Sequence, residues 1–209
     1  MQMKYLIQQL KAQKILKTLK IINAFESIDR KDFVRTIDKD QAYINHPLSI
    51  GQGQTISQPL TVAFMLELLQ PKTGNKILDV GAGSGWQTAL LSYIVGDKGK
   101  VYAIERIKKL YDFGKINVAK YDFLKKGIVE FFCADGSQGL PDKAPFDKII
   151  VAAASKSVPE KLKQQLKIGG QLVLPVGESE QSIIKIDKIS KNKFKQEQYP
   201  GFIFVPLIN

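Results

Sequence analysis

Short apolar runs alternate along the chain with stripes of apolar residues spaced three and four positions apart. The runs predict five buried strands, over residues 77–80, 100–104, 128–133, 146–151 and 171–174. The stripes predict helices after residue 86, over 107–125 and over 159–166, the last ended by Gly169-Gly170. Two later runs, 182–189 and 202–207, predict antiparallel strands near a turn at Lys191-Asn192. The predicted fold class is therefore α/β, a doubly wound, mostly parallel seven-stranded sheet with helices on both faces.

The first 57 residues do not fit this alternation. Residues 4–24 carry an apolar stripe with lysines between its members, which predicts one helix. Since the stripe lacks tryptophan, we favour packing on the domain over a membrane-surface helix. Residues 36–56 contain Pro47, Gly51 and Gly53 and predict a long ordered loop, which in a compact domain is usually functional. We expect a single domain, 1–209, made of a helical segment (1–35), a loop (36–57) and a core (58–209).

The first strand of the core ends in a glycine-rich turn. Residues 76–86 read KILDVGAGSGW, so Gly81, Gly83 and Gly85 follow an apolar run and precede a helical stripe. Glycines let a backbone turn tightly and approach a ligand without Cβ clashes, as in nucleotide-binding α/β folds. The third glycine comes one position too early for the dinucleotide fingerprint. The spacing, with Asp79 two residues ahead, resembles motif I of methyltransferases that use S-adenosylmethionine.

Acidic residues follow the next two predicted strands. Glu105 comes directly after the run 100–104, and Asp135 comes shortly after the run 128–133. A carboxylate at the tip of the second strand can accept hydrogen bonds from both ribose hydroxyls of a nucleoside, and one after the third can accept from an adenine amino group. Because ligands in such sheets bind at the carboxyl ends of the strands, we expect both acids near the glycine turn.

Composition is that of an ordinary globular protein, with 44% hydrophobic and 24% charged residues among 209. The one cysteine, Cys133, excludes an internal disulfide and is interpreted as a small buried residue of the third strand. Polar residues such as Gln8 and Lys11 interrupt any signal-peptide core, and no apolar run approaches the roughly 18 residues of a membrane span. These features favour a cytoplasmic protein.

The net charge of +11 comes from 31 basic and 20 acidic residues. Such a charge is compatible with nucleic-acid binding. Only Arg30, Arg35 and Arg106 are arginines, however, and arginine is the residue that reads guanine edges and stacks on bases. Because the lysines are spread over several segments, we interpret them as a solvated surface and not as a nucleic-acid site. We expect a monomer with neither nucleic acid nor membrane as partner.

Two polar residues in or beside the long loop have more than one interpretation. Ser57 precedes Gln58-Pro59 and a helical stripe, so residue chemistry alone favours it as the N-cap of that helix. Its hydroxyl has enough donor and acceptor sites to bind a ligand as well. His46, the one histidine, precedes Pro47 and is interpreted as a polar loop residue rather than a general base.

Taken together, these segments resemble the protein-L-isoaspartate O-methyltransferase family over nearly the whole chain. The most specific segment is GQGQTISQP at 51–59, followed at the right distances by LDVGAGSGWQTALL, VYAIERI, ADGSQGL, APFDKIIVAAA, GGQLVLPVG and FVPL. Other methyltransferases share the glycine loop but lack the TISQP segment. The resemblance implies a Rossmann-like methyltransferase fold in which residues 36–57 form a substrate loop.

The resemblance also implies a role for particular residues. Ser57 would be the active-site residue, inside a substrate-binding segment made of Thr55, Ile56, Ser57 and Gln58. S-adenosylmethionine would be bound, and S-adenosylhomocysteine released, at Asp79, Gly81, Ala82, Gly83, Ser84, Gly85, Glu105, Asp135 and Gly136. The substrate would be the free α-carboxylate of L-isoaspartyl residues in damaged proteins and peptides. Its methyl ester recloses to a succinimide, and hydrolysis then restores some aspartate.

The implied reaction is consistent with the residue types that the sequence lacks. A carboxylate with a pKa of about 3.9 is already an anionic nucleophile at pH 7, so it needs neither a general base nor a metal. Ser57 would position this carboxylate by hydrogen bonding and would not itself be methylated.

Other classes of methyltransferase fit the sequence less well. An amino-methyltransferase of DNA, RNA or protein is expected to carry an Asn/Asp-Pro-Pro-aromatic motif after the fourth strand, where this chain has Ala152-Ala153-Ala154-Ser155. A cytosine-5 methyltransferase needs a nucleophilic thiol, typically in Pro-Cys, whereas Cys133 follows Phe132. The alternatives left open are a methyltransferase of another substrate, such as RNA, DNA or a small molecule, and a non-catalytic module that binds S-adenosylmethionine.

Overall fold

The computed structural model describes residues 2–208, so the end residues of the predicted domain, Met1 and Asn209, lie outside the described part. The helices are α1 (Gln2–Ala12), α2 (Leu19–Ser27), α3 (Pro59–Leu69), α4 (Trp86–Val95), α5 (Lys108–Ala119) and α6 (Glu160–Gln164). The strands are β1 (Leu48–Gly51), β2 (Gln54–Ile56), β3 (Lys76–Val80), β4 (Lys100–Ile104), β5 (Val129–Phe132), β6 (Phe146–Val151), β7 (Leu166–Gly177), β8 (Gln181–Lys188) and β9 (Phe194–Phe202). Among these described helices, none is both long enough and apolar enough to cross a membrane.

Seven strands form one twisted sheet in the order β5-β4-β3-β6-β7-β8-β9. Strands β3 to β7 run parallel, whereas β8 and β9 are antiparallel to their neighbours, so the predicted fold class is confirmed. Chain order reverses beside β3, which pairs with β4 on one side and with β6 on the other. Such a switch point leaves a crevice at the carboxyl ends of the strands.

The core lies on both faces of this sheet because successive side chains of a strand point to opposite sides. In β3, Ile77 belongs to the cluster that includes α1, α2, α3 and α4, whereas Leu78 and Val80 belong to a second cluster beneath α6. All three are fully or almost fully buried. The strands at the switch point are thus covered on both faces, which fixes the position of the residues that follow them.

The single helix predicted over 4–24 is wrong, because the chain forms α1 and α2 with a turn between them. The carboxylate of Glu67, on α3, accepts hydrogen bonds from the backbone N–H groups of Lys17 and Thr18 at 2.8 and 2.7 Å. Lys14 adopts a positive φ of 56° within this turn. A distant carboxylate therefore holds the turn that directly precedes α2, at the place where the predicted helix is interrupted. The prediction that the stripe packs on the domain is confirmed for its members Leu6, Leu10 and Ile22, which are buried, whereas its member Leu19 is exposed.

The region 36–56 is ordered but is not a structureless loop. It contains a 3₁₀ helix over Thr36–Gln41 and the antiparallel hairpin β1–β2. The turn of the hairpin uses Gly51, Gln52 and Gly53, all with positive φ. The glycines that predicted a loop are therefore the residues that close the hairpin.

Several predicted boundaries in the second half of the chain also differ from the structure. The helix predicted to end near residue 125 ends at Ala119, and Asp122 and Gly127 then adopt positive φ values of 60° and 70°. The helix predicted over 159–166 ends at Gln164, and β7 already begins two residues later, ahead of the two glycines.

The apolar run predicted the last strand over 202–207, and this is wrong, because the strand lies over Phe194–Phe202. This strand pairs only with β8, and most of its residues are exposed or half-buried, so it carries no continuous apolar run. Residues 203–207 instead run back toward the end of β6, where Ala154 N–H donates to the carbonyl of Val205 at 2.8 Å. The predicted turn at Lys191-Asn192 does connect β8 to β9.

Candidate active site

A cleft at the carboxyl ends of β3, β4 and β6 brings most of the predicted site residues together. It encloses about 850 Å³ when the space open to solvent at its mouth is included. Two parts of its lining take their names from the roles that the sequence predicts for them. We call the first the cofactor half, which consists of Gly81–Ser84 and Glu105. The second is the substrate half, which consists of Gln54–Ser57 and the tail Val205–Ile208.

The glycine loop lies at the base of the cofactor half. Gly81, Gly83 and Gly85 adopt φ values of 82°, 52° and 85°, which strongly favour glycine. The N–H groups of Gly81 and Ala82 both donate to the carbonyl of Ile104 at 2.9 Å, which ties the loop to the end of β4. Gly81, Ala82, Gly83 and Ser84 line the cleft.

Gly85 does not line the cleft and has a packing role. A Cβ atom on Gly85 would lie 2.7 Å from the carbonyl oxygen of Gly114 in α5. The amide of Asn117, also on α5, donates to the carbonyl of Ser84 at 3.0 Å. The third glycine of the motif therefore lets α5 approach the loop closely.

Glu105 places its carboxylate inside the cofactor half. One oxygen accepts from the N–H of Gly83 at 2.9 Å, and the other accepts from the N–H of Ile107 at 2.8 Å. The side chain is almost fully buried. Since a carboxylate has about four acceptor sites, the two bonds leave acceptor capacity for the hydroxyls of a ribose.

Asp79, by contrast, lies beneath the glycine loop and does not line the cleft. Its carboxylate accepts from the amide of Gln87 at 2.8 Å and from the hydroxyl of Thr88 at 2.6 Å. Burial raises the pKa of Asp79 to about 6, although both hydrogen bonds act to lower it. Gln87 does line the cleft, so Asp79 acts on the site through the first turn of α4.

The acid after the third strand is also set back from the cleft. Asp135 accepts hydrogen bonds from the N–H of Ser137 at 2.9 Å and from the hydroxyl of the same residue at 3.0 Å. Gly136 lines the cleft, and a Cβ atom there would lie 2.4 Å from Cγ1 of Val80. The Asp-Gly pair therefore shapes the wall of the cleft beside β3.

The TISQ segment forms one wall of the substrate half. Thr55, Ile56 and Ser57 line the cleft, whereas the amide of Gln58 turns away and donates to the carbonyl of Asn45 at 2.9 Å. Next to this wall, Cδ1 of Ile50 in the hairpin would lie 3.4 Å from a Cβ atom on Gly83. The hairpin thus closes over the glycine loop.

The N-cap interpretation of Ser57 is wrong, because α3 begins one residue later, with Gln58 at the cap position. Within residues 2–208 the Ser57 hydroxyl makes no hydrogen bond, and only its carbonyl has a partner, Arg30. The side chain is half-buried at the lining of the cleft. Its hydroxyl therefore has its full donor and acceptor capacity for a ligand.

Several parts of the lining were not predicted from the sequence, and three of them differ in the signal that could have revealed them. The first is the tail, where the N–H of Leu207 donates to the carbonyl of Ala154 at 2.7 Å. The second is Trp86, the first residue of α4, and the third is the short segment from Arg106 to Leu110. The tail could have been found from its FVPL segment, but no periodic pattern marks the other two.

Two other sequence interpretations have different outcomes. Cys133 was expected to be buried, and this is wrong: it lies one residue beyond the end of β5 and is exposed. The ring of His46 does not line the cleft, and its carbonyl accepts from Arg30 at 3.0 Å, which agrees with a polar loop residue. Within the described part of the chain, no group of three or more His, Cys, Asp or Glu residues could hold a metal ion.

Comparisons with known proteins agree on one family. The family model for protein-L-isoaspartate(D-aspartate) O-methyltransferase matches residues 1–209. A protein-L-isoaspartate O-methyltransferase from Methanopyrus kandleri is 40% identical over 97% of this chain and 89% of its own length, and one from Pyrococcus abyssi is 42% identical over 97% and 92%. The fold matches the crystal structure of a Plasmodium falciparum protein described as a protein-L-isoaspartate O-methyltransferase, in complex with S-adenosyl-L-homocysteine. The TM-score is 0.87 at 27% identity, and 98% of this chain and 97% of that one are covered.

Proposed function

The chain belongs to the protein-L-isoaspartate(D-aspartate) O-methyltransferase family, and from that membership we propose how its cleft performs the reaction. The protein is a repair methyltransferase that transfers a methyl group from S-adenosylmethionine to the free α-carboxylate of L-isoaspartyl residues. The observation that carries this conclusion is the match over the whole chain, which includes both halves of the cleft.

Two features of the cofactor half support the assignment of S-adenosylmethionine to it. The glycine loop presents backbone without side chains, and Glu105 adds a carboxylate with acceptor capacity for the ribose. We propose that Gly81–Ser84, Glu105 and Gly136 contact the cofactor, while Asp79, Gly85 and Asp135 support these contacts from behind. When bound, S-adenosylmethionine supplies an electrophilic methyl group on a cationic sulfonium.

The substrate half orients the nucleophile. We propose that the Ser57 hydroxyl donates a hydrogen bond to one oxygen of the isoaspartyl carboxylate and leaves the other oxygen free to attack. Thr55 and Ile56 form the adjoining wall, with Gln58 behind them holding Asn45. The substrate carboxylate is ionised at pH 7, so the chain need only orient it and exclude water. Ile50 and the tail Val205–Ile208 add apolar surface for that purpose.

The rest of the proposal concerns the compartment, the oligomeric state, the partners and the domain organisation of the protein. We propose a cytoplasmic monomer that binds neither nucleic acid nor membrane, in which 1–35, 36–57 and 58–209 are parts of one domain. The scarcity of arginine among 31 basic residues and the exposed, unpaired Cys133 support it. Submicromolar, salt-resistant binding of RNA or DNA in a gel-shift assay would contradict it, as would a dimer mass in light scattering.

The experiment that tests the function measures transfer of labelled methyl groups to an isoaspartyl peptide and to its normal aspartyl twin. We expect base-labile label on the isoaspartyl peptide and none on the twin, because only the isoaspartyl residue presents a free α-carboxylate at that position. Parallel reactions with RNA and DNA test the other methyltransferase classes. Cofactor binding without transfer to any of these acceptors would instead indicate a non-catalytic module.

A further inference from the structure

Arg30 is a buried cation that connects the substrate half to the helix after the glycine loop. Its side chain is fully buried. One terminal nitrogen donates to the carbonyl of Ala42 at 2.7 Å, and the other donates to the carbonyls of His46 and Ser57 at 3.0 and 3.1 Å. The guanidinium carbon lies 5.4 Å from the ring centroid of Trp86. The three carbonyls flank the β1–β2 hairpin, so Arg30 fixes both ends of the segment that carries it.

Stability alone is a poor explanation for an arginine at this position. Among residues 2–208 no carboxylate forms a salt bridge with Arg30, and its Nε atom has no hydrogen-bond partner. Burial lowers the pKa of Arg30 to about 10, which reflects the unfavourable removal of its charge from water. An apolar side chain of similar length would avoid that cost, but it would leave the carbonyls of Ala42, His46 and Ser57 without this donor. Retention of the charge is therefore better explained by what the guanidinium positions.

We propose that Arg30 is a positioning residue for methyl transfer, which sets the place of Ser57 relative to the glycine loop. It acts through the carbonyl of Ser57 on one side and the face of Trp86 on the other. Trp86 is the first residue of α4, follows the glycine loop directly and lines the cleft, so one side chain connects the substrate half to the helix after the loop. This proposal rests on the proposed function, since it assumes that Ser57 binds the substrate carboxylate.

The chemistry of the side chain makes the proposal specific. A planar guanidinium can donate to several carbonyls in a fixed fork and lie over an aromatic ring, whereas an ammonium is a flexible point charge. Since a misplacement of about 1 Å can slow a reaction about a hundredfold, loss of the fork is expected to affect the rate more than the affinity for the cofactor. The predicted contacts to the cofactor come from the glycine loop and Glu105, which Arg30 does not touch.

Lys188 is a matched control elsewhere in the molecule. It is also buried, and its ammonium also donates to three backbone carbonyls, those of Lys163, Gln164 and Leu166 at 3.3, 3.2 and 2.7 Å. It does not line the cleft. Replacement of Lys188 by methionine therefore removes a buried cation with the same kind of bonding but without a link to the site.

The test compares Arg30→Lys, Arg30→Met and Lys188→Met with the unaltered protein, each assayed well below its own melting temperature. We expect kcat/KM for an isoaspartyl peptide to fall by at least about tenfold in both Arg30 variants, with the dissociation constant of S-adenosylmethionine within about threefold of the original. Lys188→Met should lose stability but keep kcat/KM within about twofold. Fluorescence of Trp86, the one tryptophan, should change in the Arg30 variants and not in Lys188→Met.

The proposal is overturned if the Arg30 variants lose only stability and keep kcat/KM within about twofold, as Lys188→Met is expected to do. Should Arg30→Met fail to fold, Arg30→Lys decides the matter, because it keeps the charge and removes only the fork. Failure of the proposed function looks different, since the unaltered protein would then methylate no isoaspartyl peptide at all.

Discussion

The cofactor half of the cleft is made of residues that are close together in the sequence, whereas the substrate half joins residues from distant segments. Gly81–Ser84 and Glu105 lie within 25 positions and directly follow two neighbouring strands, β3 and β4. The substrate half needs Ser57, the tail near residue 206 and Arg30. Local backbone geometry therefore builds the first half, and long-range contacts build the second. The two halves should respond differently to mutation.

Glu105→Ala is expected to have the largest effect, and that effect should fall on the cofactor. The substitution removes a carboxylate expected to accept from both ribose hydroxyls, and two charge-assisted hydrogen bonds contribute about 3–6 kcal/mol together. The dissociation constant of S-adenosylmethionine, measured by calorimetry, should rise at least about a hundredfold. The bond to the Gly83 N–H is lost as well, so the loop should become less stable.

The control for this change is Glu105→Gln, which keeps the size of the side chain and one acceptor oxygen but removes the charge. It should lie between the unaltered protein and Glu105→Ala in cofactor affinity. An unchanged affinity in Glu105→Ala would refute the assignment of the ribose to this residue.

Ser57→Ala should affect the substrate half alone. Loss of one hydrogen bond to a charged group should lower kcat/KM by about ten- to a hundredfold, or roughly 1.5–3 kcal/mol. Because the hydroxyl caps no helix and bonds to no described residue, the melting temperature should hardly change. Ser49→Ala is the control, since Ser49 lies on β1 of the same hairpin and does not line the cleft.

Ser57→Asp tests the same assignment by placing a negative charge beside the substrate carboxylate. A carboxylate at this position would repel the carboxylate of the substrate, so transfer should fall below that of Ser57→Ala, while Ser57→Asn should retain more activity than Ser57→Asp. A stable and fully active Ser57→Asp variant would remove Ser57 from the mechanism.

The contrast between the halves also explains what the sequence could predict. The strands and helices around the glycine loop have strong periodic patterns, so the sheet, the loop and Glu105 were predictable from local spacing. Asp79 was assigned to the cofactor from the motif alone, and only the structure places it beneath the loop with Thr88 and Gln87. The break between α1 and α2 depends on Glu67, some 50 positions away, and no local pattern can encode it.

The strand β9 and the role of Arg30 escaped prediction for related reasons. An edge strand with exposed residues lacks the apolar run that identifies a buried strand. Arg30 lies in a short 3₁₀ segment, and its partners are backbone carbonyls, which leave no trace in side-chain chemistry. The one available signal was an arginine in a chain whose basic residues are nearly all lysines.

Asp79→Asn tests whether the residues beneath the cofactor half affect the molecule differently from the residues that line it. The substitution changes a buried carboxylate beneath the glycine loop and leaves the lining of the cleft as it is. The pKa of Asp79 is about 6 in the folded protein, against about 3.9 for an unfolded chain, so the folded state binds more protons between these values. The free energy of unfolding should therefore fall as pH rises from 4 to 6, by roughly 1.4 kcal/mol per unit of pKa difference. In urea titrations at several pH values, Asp79→Asn should lack this contribution to the pH dependence of the free energy of unfolding.

The stability of Asp79→Asn at pH 7 provides a second test. At pH 7 Asp79→Asn should be at least as stable as the unaltered protein, because it no longer buries an ionised group. Its amide oxygen can accept from Gln87, and its amide N–H can donate to the hydroxyl oxygen of Thr88. If Asp79→Asn retains the full pH dependence of the free energy of unfolding, another group is responsible for it.

The smallest expected effect belongs to His46→Ala, which bears on whether the substrate half contains a titrating base. The histidine contributes its carbonyl to Arg30, and alanine keeps that carbonyl, so neither the rate nor its pH dependence should change. Because the nucleophile is a carboxylate with a pKa near 4, kcat/KM should be nearly flat from about pH 7 to 8 in both proteins.

A decline toward pH 6 would have its origin in Asp79, beneath the cofactor half, and should disappear in Asp79→Asn. A decline that disappears in His46→Ala instead would show that the histidine acts as a base, and the assignment of the reaction to a pre-ionised carboxylate would fail.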